Sequence, residues 1–358
     1  MPHNPAQRTL PMIHTRLLSF LGSLMLWAAV PAPALEGNPF PAKDSLVTDT
    51  DPLADAAECL AGLRWKSAEF SVRTTPAVKD SDWLVRFPSP FPTGDAANDA
   101  VAMEWFMHRN AGGKPAKAPA IVVIHESGRG MVAGKLLARG LRHMGCHTFL
   151  LHLPGYGART SAITGDIKQV FPGLRQAIAD ARRARDAVAA LPLIVVSRIG
   201  ICGISLGGFV ASTVVGLDHG YDRGFILLAG GHLEDVIFKG ERDAANLRRQ
   251  LQAAGVSDAE VRAEVHTIEP LRLAHRTNAA KVWLFSASRD EVVPPGCSTA
   301  FAKAAGLPPA HHVEYAAGHY SAAFYMPLIV RRIAEVMLDL PPLPDPDAPP
   351  QGPARPDK

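Results

Sequence analysis

The sequence predicts an α/β protein in which helices flank a mostly parallel central sheet. Short apolar runs rich in β-branched residues alternate with longer segments of helical periodicity, a pattern typical of a sheet buried on both faces. Residues 120–125 (AIVVIH) are the clearest strand of this kind, and residues 169–191 are the clearest helix. Strand and helix patterns follow one another between residues 64 and 340, so we expect this region to form one domain.

The elements are predicted in chain order from the same two patterns. Eight apolar runs bounded by turn residues are predicted to be strands: 83–87, 101–108, 120–125, 147–153, 199–202, 225–229, 282–286 and 312–315. Three segments of helical periodicity are predicted to be helices: 132–143, 169–191 and 323–340. Residues 232–280 are too long for an ordinary connection and have a helical pattern, so they could form a small helical cap.

The beginning of the chain has the pattern of an export signal. Basic residues precede an apolar run over residues 17–30, which the small residues Pro-Ala-Pro-Ala at 31–34 follow. We therefore expect residues 1–34 to be a signal peptide cleaved after Ala34, and the protein to be secreted or periplasmic. An uncleaved anchor is the alternative, although the apolar run is short for a membrane span.

Two further segments have the composition of a linker or a tail. Residues 35–63 are rich in Pro, Asp and Ala, and we expect a linker or a loosely packed lead-in. Residues 341–358 contain so many prolines that we expect a disordered tail. The folded domain is accordingly expected over residues 64–340.

The composition is that of an ordinary globular protein, with 47% hydrophobic and 20% charged residues. A formal net charge of +3 gives no reason to expect a nucleic-acid partner. The local cluster of Arg182, Arg183 and Arg185 falls in a predicted helix, where we expect a solvated face. The four cysteines form no C-x-x-C motif or His/Cys cluster, so no metal site is predicted, and their pairing stays open.

The most specific motif is Gly203-Ile-Ser205-Leu-Gly207-Gly208, which lies between a predicted strand and an apolar helix. A G-x-S-x-G pattern in this context is typical of a nucleophilic serine held on a sharp turn. Side chains at positions 203 and 207 would collide with the neighbouring strand and helix. The turn places the hydroxyl at a helix N-terminus, which favours developing negative charge. We therefore predict that Ser205 is a nucleophile; a glycine-rich structural turn is the alternative.

A serine hydroxyl needs a base, and the base needs a carboxylate that orients it. With this kind of turn, the chain order is serine, acid, histidine. Asp290 and His319 each lie in a loop directly after a predicted strand, where an open α/β sheet places its chemistry. We predict them as acid and base. Glu291 is the alternative acid, and His311 and His312 are the alternative bases.

Acyl transfer also needs backbone N–H donors for the oxyanion. One donor is expected from Leu206, the residue after the nucleophile. The second is expected from the loop at residues 125–130 (HESGRG), where Ser127 is the first candidate and Glu126 the second.

At these motifs the chain resembles the α/β-hydrolase superfamily, and within it the dienelactone hydrolase-like esterases and their acetyl-esterase relatives. The resemblance covers about residues 120–338 and depends on HESG at 125–128, GISLGG at 203–208, IEPLRLAHR at 268–276, SRDEVVPP at 288–295 and AGHY at 317–320. It implies a sheet of about eight strands, no cofactor, and ester hydrolysis through an acyl-enzyme. It also implies that Glu126 could form a hydrogen bond with the resting nucleophile. The chain departs from the dienelactone hydrolases in having Ser205 rather than cysteine.

The expected function is hydrolysis of carboxylic esters by an exported serine hydrolase. Its substrate would be a small-molecule or acylated-carbohydrate ester, with no metal and no membrane span after signal cleavage. Two alternatives are a prolyl-oligopeptidase-like serine peptidase and a non-catalytic binding protein with the same fold. The sequence does not predict the oligomeric state.

Overall fold

The computed structural model describes residues 35–36, 39–47, 49–77, 79–161 and 166–341. The predicted signal peptide at 1–34 and residues 342–358 of the predicted tail lie outside these ranges. None of the helices in the described ranges is long and apolar enough to cross a membrane.

A ten-stranded sheet forms the centre of the described residues. Its strands are β1 (Phe40–Lys43), β2 (Glu69–Pro76), β3 (Trp83–Pro88), β4 (Ala100–Phe106), β5 (Ala118–Ile124), β6 (His147–Leu151), β7 (Ile194–Ile204), β8 (Arg223–Leu227), β9 (Val282–Ala287) and β10 (His312–Tyr315). Their order across the sheet is β1-β2-β3-β4-β6-β5-β7-β8-β9-β10. Pairings from β1 to β6 are antiparallel, and those from β6 to β10 are parallel. The carboxyl ends of the parallel strands therefore lie along one edge.

Helices cover both faces of this sheet, as the sequence predicts. They are α1 (Ala54–Leu63), α2 (Ala96–Asp99), α3 (Val132–Met144), α4 (Val170–Ala189), α5 (Leu206–Leu217), α6 (Leu233–Lys239), α7 (Asp243–Ala253), α8 (Asp258–His266), α9 (Pro295–Ala304) and α10 (Met326–Leu338). Helix α4 packs on α5 in one apolar core, and α3 packs on α10 in another. The alternation of strands and helices is confirmed.

The expected strand number is too small by two. Strands β3 to β10 correspond to the eight predicted runs, and β1 and β2 extend the antiparallel edge. Helix α1 also lies in the expected lead-in and buries Ala56, Cys59, Leu60 and Leu63 in the core. Residues 40–43 and 54–63 are thus packed elements rather than a loose linker.

The expectation of a solvated arginine face on α4 is wrong for Arg182 and Arg183, whose side chains are buried. Arg182 Nε lies 2.8 Å from Asp218 Oδ1. Arg183 Nη2 lies 2.6 Å from Asp44 Oδ2, which comes from the lead-in. Buried charges of this kind need oppositely charged partners. A local charge pattern does not predict these pairs, because the partners are distant from α4 in the chain.

All four cysteines are buried and free. Burial raises the pKa of each thiol. They therefore pack as small apolar side chains.

The segment between β8 and β9 is helical, as predicted for residues 232–280. It contains α6, α7, α8 and short 3-10 turns. The loop between α6 and α7 contacts the loop after β9, since the Glu241 N–H donates to the Glu291 carbonyl at 2.8 Å. This contact places one end of the helical segment beside the predicted acid.

Candidate active site

Ser205 lies on the turn that joins β7 to α5, in the context that its motif predicts. Its backbone has φ 52° and ψ −116°, a conformation that costs free energy in any residue except glycine. Two hydrogen bonds hold this conformation: the Ser205 N–H donates to Leu227 O at 2.9 Å, and the Phe209 N–H donates to Ser205 O at 3.1 Å. The turn is therefore fixed by β8 on one side and by α5 on the other.

The glycines of the motif are required by close backbone contacts. A Cβ atom at Gly207 would lie 2.3 Å from Ile124 O and 2.6 Å from His125 O. A Cβ atom at Gly203 would lie 2.0 Å from Gly207 O. Helix α5 can therefore begin directly against the end of β5, which brings Ser205 next to the loop expected to contribute the second oxyanion donor.

The structure brings the three predicted catalytic side chains together. Ser205 Oγ lies 3.0 Å from His319 Nε2, and His319 Nδ1 lies 2.7 Å from Asp290 Oδ2. His319 is 8% exposed and Asp290 is 7% exposed, so water competes little for these contacts. The three residues follow β7, β9 and β10, whose carboxyl ends share one edge of the sheet.

Backbone donors orient the carboxylate of Asp290. Its Oδ1 accepts the N–H groups of Val292 at 2.9 Å and Val293 at 2.8 Å, which leaves Oδ2 for the histidine. A carboxylate that accepts at Oδ2 selects the tautomer of His319 with the proton on Nδ1. Nε2 is then the acceptor that faces the serine hydroxyl, as general-base catalysis requires.

The alternative acid, Glu291, has a different environment. Its Oε1 lies 2.9 Å from Arg242 Nε, and its Oε2 accepts the backbone N–H of His319 at 3.4 Å. Hydrogen bonds from its own N–H and from that of His319, together with the charge of Arg242, hold its pKa below the usual value. Glu291 therefore contacts the backbone of the base and leaves the imidazole to Asp290.

The alternative bases lie away from Ser205. The ring of His311 stacks on that of Trp283 with 4.2 Å between the centroids. His312 Nε2 lies 2.8 Å from Ser286 Oγ on the neighbouring strand. Both histidines thus contact the body of β9.

The predicted oxyanion donors lie on two adjoining segments. Leu206 is the first residue of α5, so its N–H has no partner within the helix. The Gly207 N–H donates to His125 O at 3.1 Å and ties this helix end to the loop after β5. In that loop, Ser127 O accepts the hydroxyl of Tyr156 at 2.9 Å. The roles of Leu206 and Ser127 as donors stay predictions.

Glu126 does not occupy the position that the resemblance implies. Its two carboxylate oxygens accept the N–H groups of Ala133 at 3.2 Å and Gly134 at 3.0 Å, at the beginning of α3. Unpaired N–H groups and the helix dipole attract a carboxylate there. Among the described residues Glu126 has no hydrogen bond to Ser205, so the expected contact with the resting nucleophile is not what the structure shows.

His125 and Tyr156 are site residues to which the sequence assigned no role. His125 is buried, with Nδ1 2.6 Å from Glu126 O, and its Nε2 accepts the Leu153 N–H at 3.2 Å. Burial lowers the pKa of His125 to about 4, so the ring is neutral. The Tyr156 ring packs 4.7 Å from it, centroid to centroid. The sequence signals for this support are the HESG motif, which begins with His125, and the Pro-Gly-Tyr-Gly segment at 154–157, which contains Tyr156.

One cluster in the described part of the chain has the composition of a metal site. Asp55, Glu58 and His266 are exposed side chains with their ligand atoms close together. Arg272 donates to Asp55 at 2.8 Å and to Glu58 at 2.8 Å, so a guanidinium already compensates both carboxylates. This arrangement is an ion-pair cluster at the surface.

No protein-family model matches the chain, and no curated protein sequence matches it. Solved structures do match the chain in fold. An acetyl xylan esterase from Paenibacillus sp. R4 superimposes with a TM-score of 0.54 at 16% identity, over 85% of this chain and 91% of that one. A puromycin-hydrolyzing peptidase from Mycobacterium tuberculosis has a TM-score of 0.52 at 16% identity, over 77% of this chain and 47% of its own.

An acylaminoacyl peptidase from Pyrococcus horikoshii has a TM-score of 0.51 at 13% identity, over 75% of this chain and 47% of its own. This chain therefore spans about half the length of the two peptidases. Similarity at these identities shows the fold alone. Together with the parallel strands and the turn at Ser205, it shows that the chain has the fold of the α/β-hydrolase superfamily.

Proposed function

We propose that this protein is an exported serine hydrolase that cleaves carboxylic esters through an acyl-enzyme. The observation that carries the proposal is the hydrogen-bonded row of Ser205, His319 and Asp290. Their contacts of 3.0 and 2.7 Å lie in a largely buried environment, at the strained turn that presents the hydroxyl. A purely structural serine would not need this strain or this order of partners.

The geometry supports the following reaction. His319 Nε2 accepts the hydroxyl proton while Ser205 Oγ attacks the ester carbonyl carbon, and Asp290 stabilises the imidazolium that forms. The N–H groups of Leu206 and Ser127 would stabilise the oxyanion. The imidazolium then protonates the leaving alcohol. A water molecule, activated by the same base, attacks the acyl-enzyme and releases the acid and the free serine. These steps need no cofactor.

An ester substrate is favoured by the extent of the structural match. The acetyl xylan esterase matches 85% of this chain, whereas the two peptidases match 77% and 75% of it. The match to the esterase thus takes in more of the chain than the match to either peptidase. We infer that the substrate is a small-molecule ester or an acylated carbohydrate.

Export is the part of the proposal that depends on residues 1–34 alone. N-terminal sequencing of the protein purified from an expressing cell is expected to begin at Leu35, directly after Ala34. A mature chain that retains the apolar run would favour the anchored alternative.

An ester panel tests the catalytic part. Initial rates would be measured on p-nitrophenyl esters from acetyl to long acyl and on acetylated sugars. We expect turnover in the wild type and its loss in Ser205→Ala. The control Ser212→Ala removes a buried hydroxyl from α5, the helix that begins directly after Ser205. This hydroxyl donates to Gly208 O, and we expect the variant to retain activity. Full activity of Ser205→Ala would refute the proposal.

A serine peptidase is the second candidate, favoured by the similarity to the two peptidases. Both activities would use the same triad, so the leaving group distinguishes them. Dipeptide p-nitroanilides cleaved faster than every ester of the panel would establish the peptidase. If the protein cleaves neither substrate class, the non-catalytic binding alternative would stand.

A further inference from the structure

Arg242 has a backbone conformation that few side chains adopt. It lies between α6 and α7 with φ 49° and ψ −110°, close to the φ 52° and ψ −116° of Ser205. Such strain persists in a non-glycine residue only when surrounding contacts enforce it, and it is concentrated at functional sites. The side chain of Arg242 is 60% exposed, so burial in the core does not explain the conformation.

The contacts of Arg242 point to the two loops that carry the acid and the base. Its Nε lies 2.9 Å from Glu291 Oε1, next in the chain to Asp290. Its guanidinium carbon lies 5.4 Å from the ring centroid of Tyr320, next in the chain to His319. One side chain thus contacts the neighbours of both predicted catalytic partners of the serine.

Glu291 carries this contact to the base itself. While Oε1 faces Arg242, Oε2 accepts the backbone N–H of His319 at 3.4 Å. The Glu291 carbonyl also accepts the N–H of Glu241 at 2.8 Å. A continuous path therefore runs from the helical segment through one carboxylate to the backbone of the histidine.

We propose that Arg242 and Glu291 are positioning residues that hold His319 in line with Ser205 and couple the helical segment to catalysis. This inference depends on the proposed function. The ion pair is partly solvated, so it contributes little to overall stability. Its effect is instead on the position of the imidazole, to which the rate of a base-catalysed step is sensitive.

The same helical segment offers a matched control. Arg262 Nε lies 2.8 Å from Glu234 Oε1, and its guanidinium carbon lies 4.6 Å from the Phe238 ring centroid. Its side chain is 50% exposed. Arg262 therefore makes the same two kinds of contact as Arg242 without touching the loop of the acid or that of the base.

The test compares Arg242→Ala, Arg242→Lys, Glu291→Gln and Arg262→Ala with the wild type. It measures kcat and KM on p-nitrophenyl acetate, the rate of fluorophosphonate labelling at Ser205, and the thermal midpoint. Arg242→Ala and Glu291→Gln should each lower kcat and the labelling rate by about tenfold, with KM and the midpoint little changed. Arg242→Lys should restore most of the rate, and Arg262→Ala should match the wild type. The double variant Arg242→Ala/Glu291→Gln should lose no more activity than either single variant, because the two residues act through one contact.

Three outcomes would overturn the positioning role while leaving Ser205 as the nucleophile. These are wild-type labelling in Arg242→Ala and Glu291→Gln, a rise in KM alone, or an equal loss in Arg262→Ala. A wild type that does not label at Ser205 would overturn the proposed function and this inference together. If Glu291→Gln fails to fold, the exposed variants of Arg242 decide the question.

Discussion

A fall in pH from 7 to 5 should destabilise the protein through two buried histidines. His147 accepts the N–H groups of His108 at 3.1 Å and of the Trp105 indole at 3.3 Å with Nδ1, and its Nε2 donates to Ala116 O at 2.9 Å. This pattern requires a neutral ring. Burial lowers the pKa of His147, like that of His125, to about 4.

The magnitude follows from the difference between the folded and unfolded pKa values. The unfolded chain binds protons at an ordinary histidine pKa of 6.5, whereas the folded chain does so only near 4. The stabilisation is therefore complete above pH 6.5 and is lost as the pH falls towards 4. Between pH 7 and pH 5 each of the two rings should lower the free energy of unfolding by about 2 kcal/mol. His108 and His312, whose pKa values burial also lowers, act in the same direction.

Urea unfolding followed by tryptophan fluorescence at pH 7 and pH 5 measures this loss. His147→Gln removes one titrating group, so its stability should fall by about 2 kcal/mol less than that of the wild type over the same interval. The comparison does not depend on the stability of the variant at pH 7. His219→Gln, at an exposed histidine, should behave as the wild type. An unchanged pH dependence in His147→Gln would refute the reasoning.

Three substitutions test the geometry of the site. Gly207→Ala places a Cβ atom 2.3 Å from a carbonyl oxygen of β5 and should lower the free energy of unfolding by about 3 kcal/mol, as measured by thermal unfolding. Gly296→Ala, with open space around it, should be nearly neutral. Equal stabilities of the two variants would contradict the packing argument. Glu126→Gln should lower the free energy of unfolding by about 1 kcal/mol, because it weakens the beginning of α3, and should leave the labelling of Ser205 little changed. A large change in labelling would instead indicate that Glu126 contacts the nucleophile. Asp290→Asn should lower kcat by about 10⁴-fold, because the asparagine amide would favour the wrong tautomer of His319; a loss of less than about tenfold would show that another carboxylate orients the base.

Much of the fold and the core of the site could be predicted because their signals are local. The apolar β-branched run of β5 and the glycines around Ser205 each specify their own conformation. Asp290 and His319 could be predicted because parallel strands end at one edge, so loops distant in the chain meet there.

Features that depend on distant partners were missed. Strand β1 is short and pairs only at the edge of the sheet. Helix α1 does have apolar residues at helical spacing (Ala56, Cys59, Leu60 and Leu63), but the surrounding Pro, Asp and Ala residues outweighed this signal. The local charge pattern predicts that Arg182 and Arg183 are solvated, because their partners, Asp218 and Asp44, are distant in the chain. The direction of the Glu126 side chain depends on where α3 begins, which the motif does not specify.

The proposed function depends most directly on activation of the Ser205 hydroxyl by His319. The most direct measurement is peptide mapping by mass spectrometry after treatment with a fluorophosphonate. We expect one adduct per chain, located on Ser205 in the wild type, and its near-complete absence in His319→Ala at the same exposure. Labelling of another residue, or equal labelling of Ser205 in both proteins, would contradict the account.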